Sequence, residues 1–404
     1  MRTQVAIIGA GPAGLLLSHL LRLQGIDSVV LESRDRGYVE HRQRAGMLEQ
    51  GTTDVLRESG AGERLDREGL VHHGLELRFG GAGHRIPLTD LTGRTVTVYA
   101  QTEIVKDLVA RRLADGGDVR FEAEALHLDA SAPSVTFRSG GATHTLDCDY
   151  IAGCDGFHGV SRPAVPGLRT FTRDYPFAWL GILADVAPST EELIYAHHDR
   201  GFALHSLRSP HVSRLYLQVA PDEDLAAWPD ARIWDELAAR FATDDGWKLH
   251  EGPITDKAVT PMRSFVAEPM RHDRLFLAGD AAHIVPPTGV QGTEPRGVRR
   301  DRPRAGVRRA VRHGVGDAAG RLLRRVPAAG LAGRALLVLD DHAAAHRPRR
   351  ERLRAAAPAL PPRLRGVLGG GQDLAGRELR GSSDPLGRTL APGFVRPSGE
   401  MHVT

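Results

Sequence analysis

The chain has 404 residues, 53 Lys and Arg against 50 Asp and Glu, a formal net charge of +3, and two cysteines, Cys148 and Cys154. That length suits two domains with a large core. Two cysteines exclude a disulfide framework, no apolar run could span a bilayer, and no charged-then-apolar leader precedes the first strand, so a cytoplasmic protein with no membrane partner is expected. The small net charge hides an asymmetry: residues 1–290 carry about ten more acids than bases, and the remainder about thirteen more bases than acids.

The first stretch, Val5 to Glu32, organises the rest. Val5-Ala6-Ile7-Ile8 is a short apolar run that predicts a buried parallel strand. Gly9, Gly11 and Gly14 follow at G-x-G-x-x-G spacing. Leu15 to Leu23 is apolar at helical spacing, Gly25 ends that helix, and Asp27 to Leu31 predicts a second strand ending at Glu32. Each part has a place in a dinucleotide fingerprint. Gly9 allows the tight turn, Gly11 lets a pyrophosphate approach the backbone, and Gly14 lets helix and strand pack closely. The helix N-terminus offers free N–H groups to phosphates, and Glu32 is placed to accept from ribose hydroxyls.

Between Arg34 and Gln50 the chain is basic. It suits either a solvated helix and loop or a set of arginines near phosphates, with Arg44 over a cofactor's pyrophosphate. His72 and His73 precede the alternating run Leu75 to Phe79, where an isolated histidine is most often structural. Thr95 to Tyr99 predicts a strand, followed by an amphipathic helix from Gln101 to about Leu113. Asp147 to Asp155 predicts a strand running into a tight turn at Asp155-Gly156. The spacing of Cys148 and Cys154 is not C-x-x-C and no His/Cys cluster accompanies them, so no metal site is expected. From Tyr175 to Arg263 period-2 runs (Trp179 to Ala184, Leu193 to His197, Phe202 to Ser206, Arg214 to Val219) predict an antiparallel sheet and a separate substrate domain. Trp228 to Phe241 predicts a helix capped by Asp230. A last short strand, Arg274 to Ala278, delivers Asp280 at its carboxyl end, where α/β sheets place ligands.

Four stretches together resemble the flavoprotein aromatic hydroxylases over residues 1–289: GAGPAG at 9–14, CDGFHGVSR at 154–162, LIYAHHDRGFALHSLRS at 193–209 and RLFLAGDAAHIVPPTG at 274–289. The resemblance implies an α/β fold, with a Rossmann-like FAD-binding domain of the glutathione-reductase type over 1–174 (264–289 returning to it). An antiparallel-sheet substrate domain would span 175–263. It implies hydroxylation of 4-hydroxybenzoate to 3,4-dihydroxybenzoate through a flavin hydroperoxide, with FAD, NADPH or NADH, and O2. It implies that Gly9, Gly11, Gly14, Glu32, Arg44, Gln101, Asp155 and Asp280 hold FAD, and that Arg42, His158, Arg162 and Arg263 serve the nicotinamide cofactor. Ser206, Arg208 and Tyr216 match the pocket of the aromatic acid. Tyr195, His72, Arg214 and the main chain of Pro287 match the catalytic positions, with His72 at the far end of a proton relay. The family also suggests a homodimer. A benzoate carboxylate suits a bidentate guanidinium such as Arg208. A phenol titrating near pH ~10 must be stabilised as its anion before the ring reacts well. Arg34, Arg36 and Arg42 favour a 2′-phosphate and Asp35 opposes it, so NADPH is weakly preferred. Outside this resemblance, Tyr195 and Tyr216 read equally as packing aromatics and Arg208 as a surface arginine.

The pattern breaks after Gly289. Residues beyond 290 contain no Tyr, Trp, Lys, Ile, Asn or Cys and a single Phe, Phe394, while about one residue in five is Arg. Such a composition predicts a poorly ordered tail over 290–404. A one-base shift of reading frame near codon 289 accounts for it, because permissible codons for Gly289 to Ala305, read one base later, can spell the family's continuation. Gln291 and Glu294 stand where the family has Lys and Asn. Three further readings remain: a hydroxylase of another aromatic acid, which Ser206 and Arg208 beside Tyr195 argue against; a flavin-binding protein with lost turnover; and a nucleic-acid binder, for which arginine without interleaved aromatics gives only nonspecific contact.

Overall fold

The apolar run near the start forms the strand Arg2–Ile8 at the centre of the first sheet of the computed structural model, which describes residues 1–42 and 46–285. It pairs in parallel with Ser28–Leu31 on one side and Ala142–Gly153 on the other. Asp118–Arg120 and Leu275–Leu277 extend the parallel sheet outward. Alternate side chains leave on opposite faces. Val5 and Ile7 join the core under the helices Pro12–Leu23 and Gln101–Ala114, while Ala6 and Ile8 join a second core with Phe137, Leu146, Phe265 and Leu277. A sheet covered on both faces demands the unbroken apolar run seen here, and each fully buried Ile or Leu stabilises the fold by about 1.5–3 kcal/mol.

The second sheet runs in the order His283–Ile284, Ile254–Glu268, Arg169–Ala184, Val212–Val219, Ala203–Ser209, Leu193–Ala196, Leu75–Phe79, Ala82–Ile86. All neighbours are antiparallel except Leu193–Ala196 with Leu75–Phe79. Its two long strands pair from Arg169↔Glu268 to Ala184↔Ile254. At one end their residues, Phe265 and Ala267, belong to the core of the first sheet; at the other, Ile182 and Val259 pack in that of the second. This ribbon therefore ties the two sheets together. The boundary expected at residue 175 falls inside the strand Arg169–Ala184, and the sheet takes two strands from residues 75–86, well before it.

The helix Asp230–Phe241 covers one face of the second sheet through Ile233, Trp234, Leu237 and Phe241. The cap expected from Asp230 is not formed. Pro229 takes the N-cap position and Asp230 is the first helical residue, its Oδ1 accepting instead from Lys257 Nζ at 3.0 Å. A small third sheet, Met47–Glu49 with Val96–Val98 and Leu70–His72, lies between the others in sequence and carries His72. Among the described residues no helix is long and apolar enough to cross a membrane.

Candidate active site

The carboxyl ends of the first sheet converge on the glycine loop. Gly9 has φ +101°, and a Cβ there would stand 2.5 Å from the carbonyl oxygen of Cys154, so only glycine allows this loop to pass the next strand's turn. A Cβ on Gly14 would stand 2.1 Å from the Gly9 carbonyl oxygen, which forces the helix close against the strand. Gly11, at the N-cap of that helix, has nothing within 4 Å of where a Cβ would be. The gap lies beside the free N–H groups of a helix N-terminus, which suits a pyrophosphate. Glu32 Oε2 accepts from Ala10 N at 2.8 Å and Oε1 from Arg34 N at 2.9 Å, so this carboxylate holds the loop to the end of the second strand.

Asp155 sits in the turn beside Gly9. Its Oδ2 accepts from Ser161 N at 2.8 Å, Oδ1 is buried without a partner among the described residues, and burial pushes its pKa up. Asp280 lies in the short turn Gly279–Ala281, and a Cβ on Gly279 would stand 3.1 Å from Ala13 in the glycine loop. The Asp280 side chain is open to solvent, yet desolvation by the surrounding protein raises its pKa, opposed by His283 and Arg42; a carboxyl in an open recess reconciles the two. Gln101 begins the helix Gln101–Ala114, half-buried.

Of the nicotinamide candidates, three gather around one ring. Arg162 lies between Phe157 and Phe265, its guanidinium 4.5 Å from each ring centroid; Arg263 is 5.1 Å from Phe157, and His158 packs edge-on to it at 4.9 Å. Arg42 stands apart, next to Asp280 in the field of that carboxyl. Asp35 caps the helix Arg36–His41 by accepting from Tyr38 N at 2.8 Å, and Arg36 is paired with Glu40 at 2.7 Å. Arg44 and Pro287 lie outside the described residues.

The substrate candidates share one face of the second sheet. Tyr195 stands opposite Leu204, Leu204 opposite Tyr216, and Tyr216 opposite Gly181; Ser206 stands opposite Arg214. Directly opposed residues point the same way, and this face is the one turned from the helix Asp230–Phe241. Gly181 leaves room for Tyr216, whose Cε1 would be 3.4 Å from a Cβ there. Arg208 follows the register shift after Leu207, and its Nη1 reaches within 3.6 Å of where a Gly46 Cβ would be, near Ala100. That nitrogen is buried with no hydrogen-bond partner among the described residues. Burial lowers the Arg208 pKa and the neighbouring Arg214 lowers it further, with Glu103 opposing. Arg214 lies 5.3 Å from the Tyr216 ring centroid. The Tyr195 hydroxyl is also buried without a partner among the described residues, and burial raises its pKa, so it stays protonated.

Three residues on this face had no assigned role. Phe177, Trp179 and Phe202 form an aromatic wall, with Trp179 5.0 Å from Phe202, 6.0 Å from Phe177 and 6.3 Å from Tyr216, and Tyr195 6.0 Å from Phe202. The signal was parity: 177, 179 and 181 alternate on the strand that pairs with Tyr216. His72 is 1% exposed and both ring nitrogens lack a partner among the described residues. Burial pulls its pKa down to about 4, opposed by Glu192 and assisted by His73.

A family model, FAD binding domain, matches residues 2–294. The p-hydroxybenzoate hydroxylase of Acinetobacter baylyi is 49% identical over 72% of this chain and 74% of its own length. The rifampicin monooxygenase of Rhodococcus hoagii is 28% identical over 72% of this chain, which spans 60% of that protein. Among solved structures, p-nitrophenol 4-monooxygenase from Pseudomonas putida superposes with a TM-score of 0.61 at 20% identity, over 71% of this chain and 75% of that one. The chain therefore belongs to the FAD-dependent aromatic hydroxylases, a class of flavoprotein monooxygenase. Within that class, the matched residues form a segment like p-hydroxybenzoate hydroxylase, and the cofactor is FAD.

Buried neutral histidines make stability depend on pH. His72 and His205 have folded pKa values lowered by burial to about 4 and about 3, below the unfolded value of 6.5. Between these values the unfolded chain binds more protons, so stability is full above pH 6.5 and is lost as pH falls towards 4. Denaturant unfolding of the flavin-loaded protein should lose stability from pH 7 to pH 4.5, and His72→Gln should flatten that slope by up to ~3 kcal/mol. An unchanged slope in the variant would contradict the burial of a neutral His72.

Proposed function

We propose that this chain carries the catalytic machinery of a 4-hydroxybenzoate 3-hydroxylase, forming 3,4-dihydroxybenzoate from 4-hydroxybenzoate with NAD(P)H and O2. The observation that carries the reading is Arg208: a buried guanidinium nitrogen with no acceptor among the described residues, beside a second arginine, on the face that holds Tyr195, Ser206 and Tyr216. A buried cation without a partner is costly, and a carboxylate ligand removes that cost while gaining charge-assisted hydrogen bonds. The name of the Acinetobacter relative is consistent with an aromatic acid of this kind.

In this reading Gly9, Gly11, Gly14, Glu32, Arg44, Gln101, Asp155 and Asp280 would hold FAD, which when bound would pass two electrons from the nicotinamide to O2, so that one oxygen atom of O2 goes to the ring and the other to water. Arg42, His158, Arg162 and Arg263 serve the nicotinamide, with Pro287 contributing a main-chain contact to the substrate phenol. Arg208 and Ser206 grip the substrate carboxylate, and Tyr216 and the Trp179 wall flank the ring. That grip orients the ring so that its phenol meets Tyr195. Tyr195, held protonated by burial, donates to the phenolic oxygen and stabilises its anion, and the displaced proton moves towards His72. Arg214 sets positive charge beside the flavin, which favours an anionic reduced form.

Arg208→Lys should weaken 4-hydroxybenzoate binding about 10- to 100-fold, the loss of one charge-assisted pair, while Tyr195→Phe should retain affinity and lower the yield of 3,4-dihydroxybenzoate. Equilibrium titration and product chromatography read these; unaltered affinity in Arg208→Lys would contradict the pocket.

The tail supports a second reading. The family match stops at residue 294, close to where the composition changes. A one-base frame shift near codon 289 would leave the intact gene encoding the active hydroxylase and this chain a flavin-binding protein with impaired turnover. Nucleotides across codon 289 that carry the family's continuation one base out of frame are expected; their absence would overturn this reading.

A further inference from the structure

We propose that Glu192, clamped by Arg85, is the fixed charge through which buried His72 takes up a proton and passes it to solvent. The inference rests on the reading of His72 as the end of a proton relay, and adds the partner that such a relay needs. His72 is 1% exposed and neither ring nitrogen has a partner among the described residues, so by itself it is a poor proton acceptor.

The fold brings one carboxylate to the backbone two residues beyond it. Leu193 pairs in parallel with Leu75, which sets Glu192 beside Gly74, two residues beyond His72. Gly74 has no side chain to intervene: a Cβ there would stand 2.9 Å from Glu192 Oε2 and 2.9 Å from Arg85 Nη2. Arg85 holds the carboxylate in both hands, Nε to Oε2 at 2.7 Å and Nη2 to Oε1 at 2.7 Å. The pair reaches the surface, with the Glu192 side chain 19% and that of Arg85 52% exposed. Arg85 keeps Glu192 below the usual carboxylate range, so it stays charged and does not itself trap the proton.

The other charges about this cluster are few. His73 opposes a charge on His72 and is anchored on Thr89 at 3.1 Å; Asp90 lies in the field of Arg85. His205, behind the sheet, feels His72 together with Arg78 and His250. Among the described charges that act on His72, Glu192 favours the imidazolium. The proton balance is then simple. The phenolic O–H breaks and an N–H forms on His72; because the ring nitrogens are buried, that N–H gives its proton to solvent through a water admitted beside the partly exposed Glu192–Arg85 pair. The carboxylate is not consumed.

The test is the titration of the His72 ring in the full-length, flavin-loaded protein, read by NMR of its ring C–H groups and assigned by loss in His72→Gln. Glu192→Gln should lower the midpoint by about one pH unit, and Glu192→Asp should restore most of it. Arg85→Gln should raise the midpoint, because the carboxylate is left uncompensated. Opposite signs are not what a merely structural pair would give; an unmoved midpoint, or shifts of the same sign, would overturn the proposal. A parallel titration of added 4-hydroxybenzoate by ultraviolet difference separates the two levels. Should the midpoints shift while no variant binds it, the substrate reading fails and the Glu192–His72 coupling stands.

Discussion

A guanidinium nitrogen buried beside a second arginine, with no hydrogen-bond partner among the described residues, is the constraint from which the site follows. Arg208 can hold that position because the strand Ala203–Ser209 shifts register after Leu207 and because Gly46 leaves space against its Nη1. Glu103, whose charge opposes the shift at Arg208, is already committed to Arg64 and Lys106. An anionic ligand would relieve that nitrogen, and the face on which it would lie is aromatic: Phe177, Trp179, Phe202, Tyr195 and Tyr216. The proposed ligand, a planar ring bearing one carboxylate and one hydroxyl, would give Arg208 an acceptor and give a partner to the Tyr195 hydroxyl, which has none among the described residues.

The two-sided use of the second sheet makes that face possible. Its odd and even positions have different fates. Ile182, Ile194, Leu215 and Leu217 bury against the helix Asp230–Phe241, while Gly181, Tyr195, Arg214 and Tyr216 face away. The long ribbon of Arg169–Ala184 with Ile254–Glu268 then joins this sheet to the one that carries the glycine loop. The aromatic face and the glycine loop are thus joined by an antiparallel ladder, broken by a register shift between Asp174 and Ala178, rather than by loose loops.

Much of this was legible in the sequence because it rests on local chemistry. The strand, glycine spacing, helix and Glu32 of the first unit are dictated by close backbone approach, which only glycine permits. The strands near Trp179, Tyr195, Ser206 and Tyr216 were legible from alternation. Long-range pairing was not. Nothing local in Leu75–Phe79 says that it joins a strand more than a hundred residues later, yet that pairing brings Glu192 beside Gly74, two residues from His72. The Asp230 cap failed because Pro229 already occupies the N-cap, and the Trp179 wall was missed because an aromatic in a strand looks the same whether it lines a pocket or fills a core. Family resemblance, not spacing, singled out Arg208 and Tyr195.

The visible spectrum of the purified chain during titration with 4-hydroxybenzoate tests the central claim most directly. A yellow protein whose flavin bands shift in a saturable way is expected, since cofactor and ligand would share one pocket. A protein that binds flavin but whose bands do not respond to the ligand would contradict the assignment of the Arg208 face, and one that stays colourless with added FAD would contradict a complete flavin site in this chain.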